Sequence, residues 1–221
     1  ETLSARISEL LVSLTRFDGE QGARGYDLPA LLLRSESAAS SQIERLTSSV
    51  RNVALAELTD DAPANARIVQ GNVAAMRLAL SLPPEVSKRR ICAVHEALIG
   101  PTGESFGGLI RNEQVWVGGT PYSPHGALFV PPVPSRIEAC LDDLVAFAQR
   151  DDVNAIAKAA IVHAQFETIH PFIDGNGRTG RVLLHRILSQ EDVLKWSTLP
   201  VSAGLLHDVD AYMTAIRAYQ Q

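Results

Sequence analysis

His170-Pro-Phe-Ile-Asp-Gly-Asn-Gly-Arg-Thr-Gly-Arg181 is the stretch on which the reading of this chain turns. It sets a titratable base, a carboxylate, a glycine-rich bend and two arginines within one short span. Histidine has the side-chain pKa nearest neutrality, so His170 is suited to take a proton from a hydroxyl. Asp174 offers a hard oxygen ligand of the kind Mg²⁺ takes alongside substrate phosphates. Gly175 and Gly177 let the backbone bend tightly and turn N–H groups toward an anion at the start of a helix. Arg178 and Arg181, three apart, reach phosphate oxygens from one face of that helix. Gly180 lies inside the helix, where glycine costs about 1 kcal/mol relative to alanine, so a close approach to the backbone is expected there.

Upstream, Val153 to Ile169 is apolar and alanine-rich and reads as a buried central helix that delivers His170 to a loop. Downstream, Val182, Leu183, Leu184, Ile187 and Leu188 turn inward, and Leu205 to Tyr219 forms a last helical pattern. Toward the N-terminus, Leu3, Ile7, Leu10, Leu11 and Leu14 predict a first helix ending before Asp18-Gly19. Asp27 reads as the cap of a second helix carrying Leu28-Pro29. A polar segment from Ser35 to Leu46 continues into Val50, Val53, Leu55 and Leu58, closed by Asp60, Asp61 and Pro63. Two more helical patterns run from Ala64 to Pro83 and from Val86 to Ile99. From Gly103 to Pro134 helical periodicity gives way to glycine, proline and β-formers. There Val115-Trp116-Val117-Gly118-Gly119-Thr120 reads as a strand entering a tight turn. Helices resume at Ser135, which with Glu138 spells a capping box. The fold class is mainly α: a single helical domain with a small β-hairpin.

Composition narrows the function. A chain of 221 residues with 46% hydrophobic and 20% charged residues is ordinary globular material, large enough for a core without staples. Its net charge of −5 gives no broad nucleic-acid surface, and Lys88-Arg89-Arg90 reads as a solvated helix face. Cys92 and Cys140, far apart in apolar helical patterns, read as buried free thiols of a reducing cytosol, with a disulfide the open alternative that nothing in the sequence supports. No apolar run reaches membrane-spanning length and no signal peptide opens the chain, which sets the expectation of a cytoplasmic protein. The first residue is Glu1, not methionine, so the chain reads as a piece to which flanking domains can be missing. His163 and His170 lack the spacing of a zinc site, and His163 reads as a hydrogen-bonded core histidine. His95, His125, His185 and His207 form no constellation; Trp116 and Trp196 read as packing residues.

Each fragment of the central stretch is ordinary alone; their order and spacing together carry the signal. The stretch matches His-x-Phe-x-Asp/Glu-Gly-Asn-Gly-Arg-x-x-Arg throughout, and so the chain resembles the Fic family. Val162 to His170 and Ala127-Leu-Phe-Val-Pro-Pro132 extend the likeness, placing a catalytic core at 64–221 and an N-terminal regulatory extension at 1–63. The resemblance implies a protein adenylyltransferase, moving AMP from ATP to a Ser, Thr or Tyr hydroxyl of a target protein. It implies His170 as general base and Asp174 as the Mg²⁺ ligand. Phe172, Gly175, Asn176, Gly177, Arg178, Gly180 and Arg181 would form the nucleotide site. In the family a flap, here Val115 to Thr120, docks the target segment as an added strand. The target is not legible; self-modification and a homodimer stand open, and no membrane or nucleic-acid partner is expected of the covered chain.

A second motif fits the same family. Ser40-Ser-Gln-Ile-Glu44 matches an inhibitory helix whose glutamate pairs with the second motif arginine, here Arg181, denying it to the γ-phosphate. The departure is Arg45, where glycine or asparagine is usual. Rival readings are a different nucleotide donor, removal of AMP from a modified target, and a sensing module that transfers nothing; intact His170 and Asp174 speak against the last.

Overall fold

The computed structural model describes residues 2–24, 28–59, 61–120, 122–196 and 198–220. Asp27, Asp60 and Pro121, which the sequence assigns to a cap, a closure and a turn, lie outside them. The described helices are α1 (Leu3–Arg24), α2 (Leu28–Ile43), α3 (Val50–Ala56), α4 (Ala64–Ser81) and α5 (Lys88–Ile99), then α6 (Pro134–Ala148), α7 (Ala155–Ile169), α8 (Asn176–Gln190), α9 (Val201–His207) and α10 (Val209–Tyr219).

The centre is α7 packed on α8. Val162, Phe166 and Ile169 of α7 meet Leu183 and Ile187 of α8 and Ile137, Leu141 and Leu144 of α6 in one apolar cluster. A second cluster joins Val73 and Met76 of α4 to Val94 and Leu98 of α5 and Val182 of α8. Full burial of each such side chain contributes about 2 kcal/mol, so the two clusters hold α8 from both sides. Arg186 of α8 is tied down as well, donating to the carbonyls of Ala79 in α4 and of Pro83 just beyond it. A helix packed from both sides and anchored through Arg186 is a rigid platform for the residues at its N-terminus.

Several local expectations give way to tertiary contacts. α1 runs on through Asp18-Gly19 to Arg24, because the buried Asp18 carboxylate accepts the backbone N–H groups of Lys195 at 2.8 Å and Trp196 at 3.0 Å. Trp196 lies against Gly22 yet remains 63% exposed, so it covers α1 more than it packs inside. The Ser135 capping box does not form: α6 starts at Pro134, whose fixed φ suits the first helical position, and Glu138 instead pairs with Lys88 at 2.8 Å. The last pattern is two helices, broken at Asp208, whose side chain caps α10 through Ala211 N at 2.9 Å.

No strand forms among the described residues of the excursion. It has isolated bridges, Val117 with Phe129 and Thr120 with Ser123. Prolines 124, 131 and 132 remove ladder donors, and Gly118 and Gly119 take φ of 76° and 73°, so pairing stops after one step. Cys92 and Cys140 are free and only partly buried. No described helix is long and apolar enough to cross a membrane.

Candidate functional site

α7 ends at His170, which caps it in the left-handed conformation (φ 49°, ψ 60°), and Pro171 prevents the helix from continuing. A non-glycine residue held there is strained, and such strain persists only where surroundings enforce it. His170 Nδ1 lies 3.3 Å from the Glu167 carbonyl. A carbonyl only accepts, so Nδ1 carries the proton and Nε2 keeps its lone pair. Burial pulls the His170 pKa below its ordinary value, so the imidazole is neutral near pH 7.

The loop from 171 to 175 is closed by Asn176, whose Oδ1 accepts from Phe172 N and whose Nδ2 donates to Phe172 O, both at 2.9 Å. Beneath it, Phe172 is fully buried and stacks on His95 with centroids 3.7 Å apart. Gly108 N donates to His95 Nδ1 at 2.9 Å, so Nε2 bears the proton that His95 gives to the Asp174 carbonyl, also at 2.9 Å. Burial depresses the His95 pKa to about 4, which keeps that neutral tautomer in place. Gly175, at φ 78°, brings the chain over His95 and Leu98 with no room for a Cβ. α8 then begins with no side-chain cap, leaving its first N–H groups open.

Those groups face a cavity of about 330 Å³ lined by Glu44, His170, Asp174, Gly175, Asn176, Gly177 and Arg178. Arg178 is buried and donates to Asp174 Oδ2 at 3.1 Å, while its buried Nη1 has no protein partner. The Asp174 side chain is 66% exposed, and no cluster of three or more metal-binding side chains exists among the described residues. One open carboxylate beside an anion site fits Mg²⁺, which takes one or two carboxylates and lets phosphates and waters complete its octahedron.

Arg181, almost fully buried, reaches out of α8 to the end of α2. Its Nε donates to Ser40 Oγ, and its Nη2 to Ser40 O and to Glu44 Oε1, each at 2.8 Å. Burial opposes its charge, but Glu44 chiefly, with Tyr212 and Glu167, holds its pKa above the usual arginine value. Glu44 is placed by a Schellman closure: Leu46 N donates to Ser41 O at 3.0 Å and Arg45 N to Gln42 O at 2.8 Å, with Arg45 at φ 59°. That left-handed position is why glycine or asparagine suits it, and Arg45 holds it at a cost.

A second cavity, of about 290 Å³, lies across Glu44 from the first and shares Glu44, His170 and Gly177 with it. Its other walls include Val117 and Phe129 of the excursion, Arg181, Glu167, and Tyr212 and Ile216 of α10. Burial drives the Glu167 pKa up to about 7. His163, also buried, contacts Tyr212 Oη at 2.9 Å and is the core histidine its sequence context suggests.

The structure thus brings His170, Asp174, Gly175, Asn176, Gly177 and Arg178 to one cavity and places Ser40 and Glu44 on Arg181. It puts Phe172 under the loop as packing. Gly180 is approached not from the cavity but by the side chains of Glu167 and His163. Of the flap residues, Val117 lines a cavity; Trp116 Nε1 donates to Thr120 O at 2.8 Å, so Val115, Trp116, Gly118, Gly119 and Thr120 form a turn, not a strand. Sequence reasoning missed His95, Glu167 and Arg111: His95 and Arg111 act through partners distant in the chain, and Glu167 stands out only once folding has buried it.

Comparison with known proteins gives the chain's likenesses. The Fic/DOC family model matches residues 85–188. The protein adenylyltransferase Fic of Drosophila grimshawi is 34% identical over 104 residues, 47% of this chain and 20% of the relative. The protein adenylyltransferase fic-1 of Caenorhabditis elegans is 34% identical over 107 residues, 47% of this chain and 19% of the relative. The matched segment therefore spans about a fifth of these relatives. Among solved structures, C. elegans Fic-1 (residues 134–508) superposes with a TM-score of 0.66 at 22% identity, over 99% of this chain and 70% of that one. A Fic family protein from Desulfovibrio desulfuricans G20 gives 0.66 at 21%, over 95% and 70%. The fold is shared by both.

Proposed function

We propose, from the match of the Fic/DOC family model to residues 85–188, that the chain transfers AMP from ATP to a hydroxyl of a target protein and is restrained by Glu44. One observation carries the reading: a base, an open carboxylate, an uncapped helix N-terminus and a half-satisfied arginine line a single cavity. Positioning and electrostatics of this kind are what phosphoryl chemistry asks of a protein.

In this reading the N–H groups at the start of α8 and Arg178 hold the phosphates, and the second cavity takes the nucleoside between Val117 and α10. Mg²⁺, held at Asp174, would neutralise phosphate charge. His170 Nε2 takes the proton of the target Ser, Thr or Tyr hydroxyl as its oxygen bonds to the α-phosphorus. The bond from that phosphorus to the bridging oxygen breaks, and pyrophosphate leaves. The stretch Val115 to Thr120 presents the target segment over His170. Glu44 stands between the two cavities on Arg181, the cation suited to the far phosphates, so ATP that binds is kept from the productive pose. Two free thiols fit an enzyme of a reducing, ATP-rich cytosol.

The test uses ATP labelled at the α- or γ-phosphate with wild type, Glu44→Gly and His170→Ala, self-modification or a lysate serving as acceptor. Protein-bound α-label that rises in Glu44→Gly and is lost with His170 is expected. Label from the γ-position alone, or α-label indifferent to His170, would overturn the reading.

A further inference from the structure

Arg111 is a buried cation for which the reaction above has no use. It is 3% exposed, and its guanidinium meets no carboxylate. All its donors go to backbone carbonyls. Nε donates to His170 O at 2.8 Å, and Nη2 to Ile169 O at 3.4 Å, while its own backbone N–H donates to Pro171 O at 2.9 Å. Three consecutive carbonyls at the end of α7 thus rest on one residue. The Ile169 and His170 carbonyls are oxygens a helix end leaves without intrahelical partners, and the helix dipole makes them attractive to a cation. That explains how a buried guanidinium stands without a counter-ion.

The remaining donors run the other way. Nη1 donates to Glu113 O at 2.9 Å and Nη2 to Pro132 O at 2.6 Å. Glu113 and Pro132 are the two feet of the excursion that carries Val117 and Phe129. Gln114 braces the same feet, its Nε2 donating to Pro131 O at 2.9 Å. One planar fork therefore fixes the strained backbone of the base and the base of the flap in a single frame. Lysine has no such fork.

We propose that Arg111 is the positioning residue of the transfer reaction, setting His170 and the flap in register so that a hydroxyl laid along the flap meets the imidazole. This rests on the adenylyl-transfer reading. Register of this kind acts on kcat, not on ATP binding, since Arg111 lines neither cavity. Its charge has a second effect. Burial is the main cause that disfavours the imidazolium of His170, and Arg111 adds to it, while the Glu167 carbonyl, Glu44 and Asp174 favour it. The base is thereby kept neutral.

The experiment compares Arg111→Gln and Arg111→Lys in a Glu44→Gly background. Transfer of α-label gives kcat, calorimetry with ATP gives affinity, and NMR of the nucleotide-free protein gives the His170 titration, assigned by its loss in His170→Ala. Arg111→Gln is expected to lower kcat about 100-fold, the scale of a misplaced catalytic group, with ATP affinity kept and the His170 titration moved upward. Arg111→Lys keeps the charge, so its titration stays near the parent while kcat recovers only part of the loss. An unchanged kcat and titration in Arg111→Gln would overturn the proposal. So would ATP affinity falling in step with kcat, or loss of cooperative unfolding in both variants, since either makes Arg111 a folding residue. Should the parent transfer no label, the adenylyl-transfer reading fails on its own, and the His170 titration still judges Arg111.

Discussion

Glu44 Oε1 lies 2.8 Å from Arg181 Nη2 although the two residues stand 137 positions apart. Glu36, Ser40 and Glu44 recur every four residues along and just beyond α2, and Arg181 and His185 recur every four along α8. Glu36 meets His185 at 3.1 Å, Ser40 and Glu44 meet Arg181, and the two helices join along a polar seam that ends at the proposed active site.

The two ends of the Arg181 clamp separate stability from activity. Ser40→Ala leaves the buried Nε without its side-chain acceptor and should cost about 1–2 kcal/mol in urea unfolding. Glu44→Gly should raise transfer on the order of 100-fold by freeing one phosphate-binding cation. It should also make ATP raise Tm more than in wild type, because ligand then supplies the missing anion. Equal ATP-induced shifts in both proteins would refute this account of the pair.

Arg45 occupies the left-handed closing position of α2 with φ 59°. Arg45→Gly removes that strain and should stabilise the protein by about 0.5–1 kcal/mol, net of the greater freedom glycine gains when unfolded. A firmer helix end should also lower residual transfer in the otherwise wild-type chain. A destabilised variant with raised transfer would argue that Arg45 itself contributes to the restraint.

The far end of the seam is buried. Glu36 is inaccessible, its carboxylate accepting from Ser202 N at 2.8 Å and from Ser202 Oγ, with His185 beside it. Burial raises the Glu36 pKa, but His185 and Ser202 outweigh it and hold the group below its ordinary value. Glu36→Leu strands His185 and Ser202 and should cost about 3–5 kcal/mol in chemical denaturation. Because α2 delivers Ser40 and Glu44, the milder Ser202→Ala should raise transfer several-fold. Unaltered transfer there would confine the cluster to a structural role.

Burial shifts the Glu167 pKa upward, opposite to the usual shift of a paired carboxylate. Its folded pKa of about 7 lies above the ordinary 4.5, so between those values the folded state holds a proton that the unfolded state has released. Its contribution is therefore complete below pH 4.5 and is lost as pH rises through 7, by about 3 kcal/mol at most. Denaturation of wild type and Glu167→Gln across pH 5 to 8 should show the variant with the flatter profile. Parallel profiles would place the Glu167 carboxyl at its ordinary value.

Local pattern made most of the helices legible, since apolar spacing in α4, α5, α7 and α8 repeats within each segment. It failed where a distant group intervened. Asp18-Gly19 reads as a stop until the backbone of Lys195 and Trp196 is seen docked on Asp18. Val115 to Thr120 reads as a strand, yet prolines on the returning side deny it a partner.

The grouping of candidate groups in 170–181 was legible in the sequence by itself, because base, carboxylate, glycines and arginines are contiguous and their spacing is set by one turn and one helix. The partner expected for Arg181 was legible too, through a resemblance. Only the tertiary structure decided what holds that stretch in shape. His95 beneath the loop, Arg111 across the end of α7 and Glu36 behind α2 all meet their partners through chain folding over tens of residues. A hydrogen bond between remote residues leaves no periodicity to read; it exists only once burial has excluded water and left each polar group a single place to go.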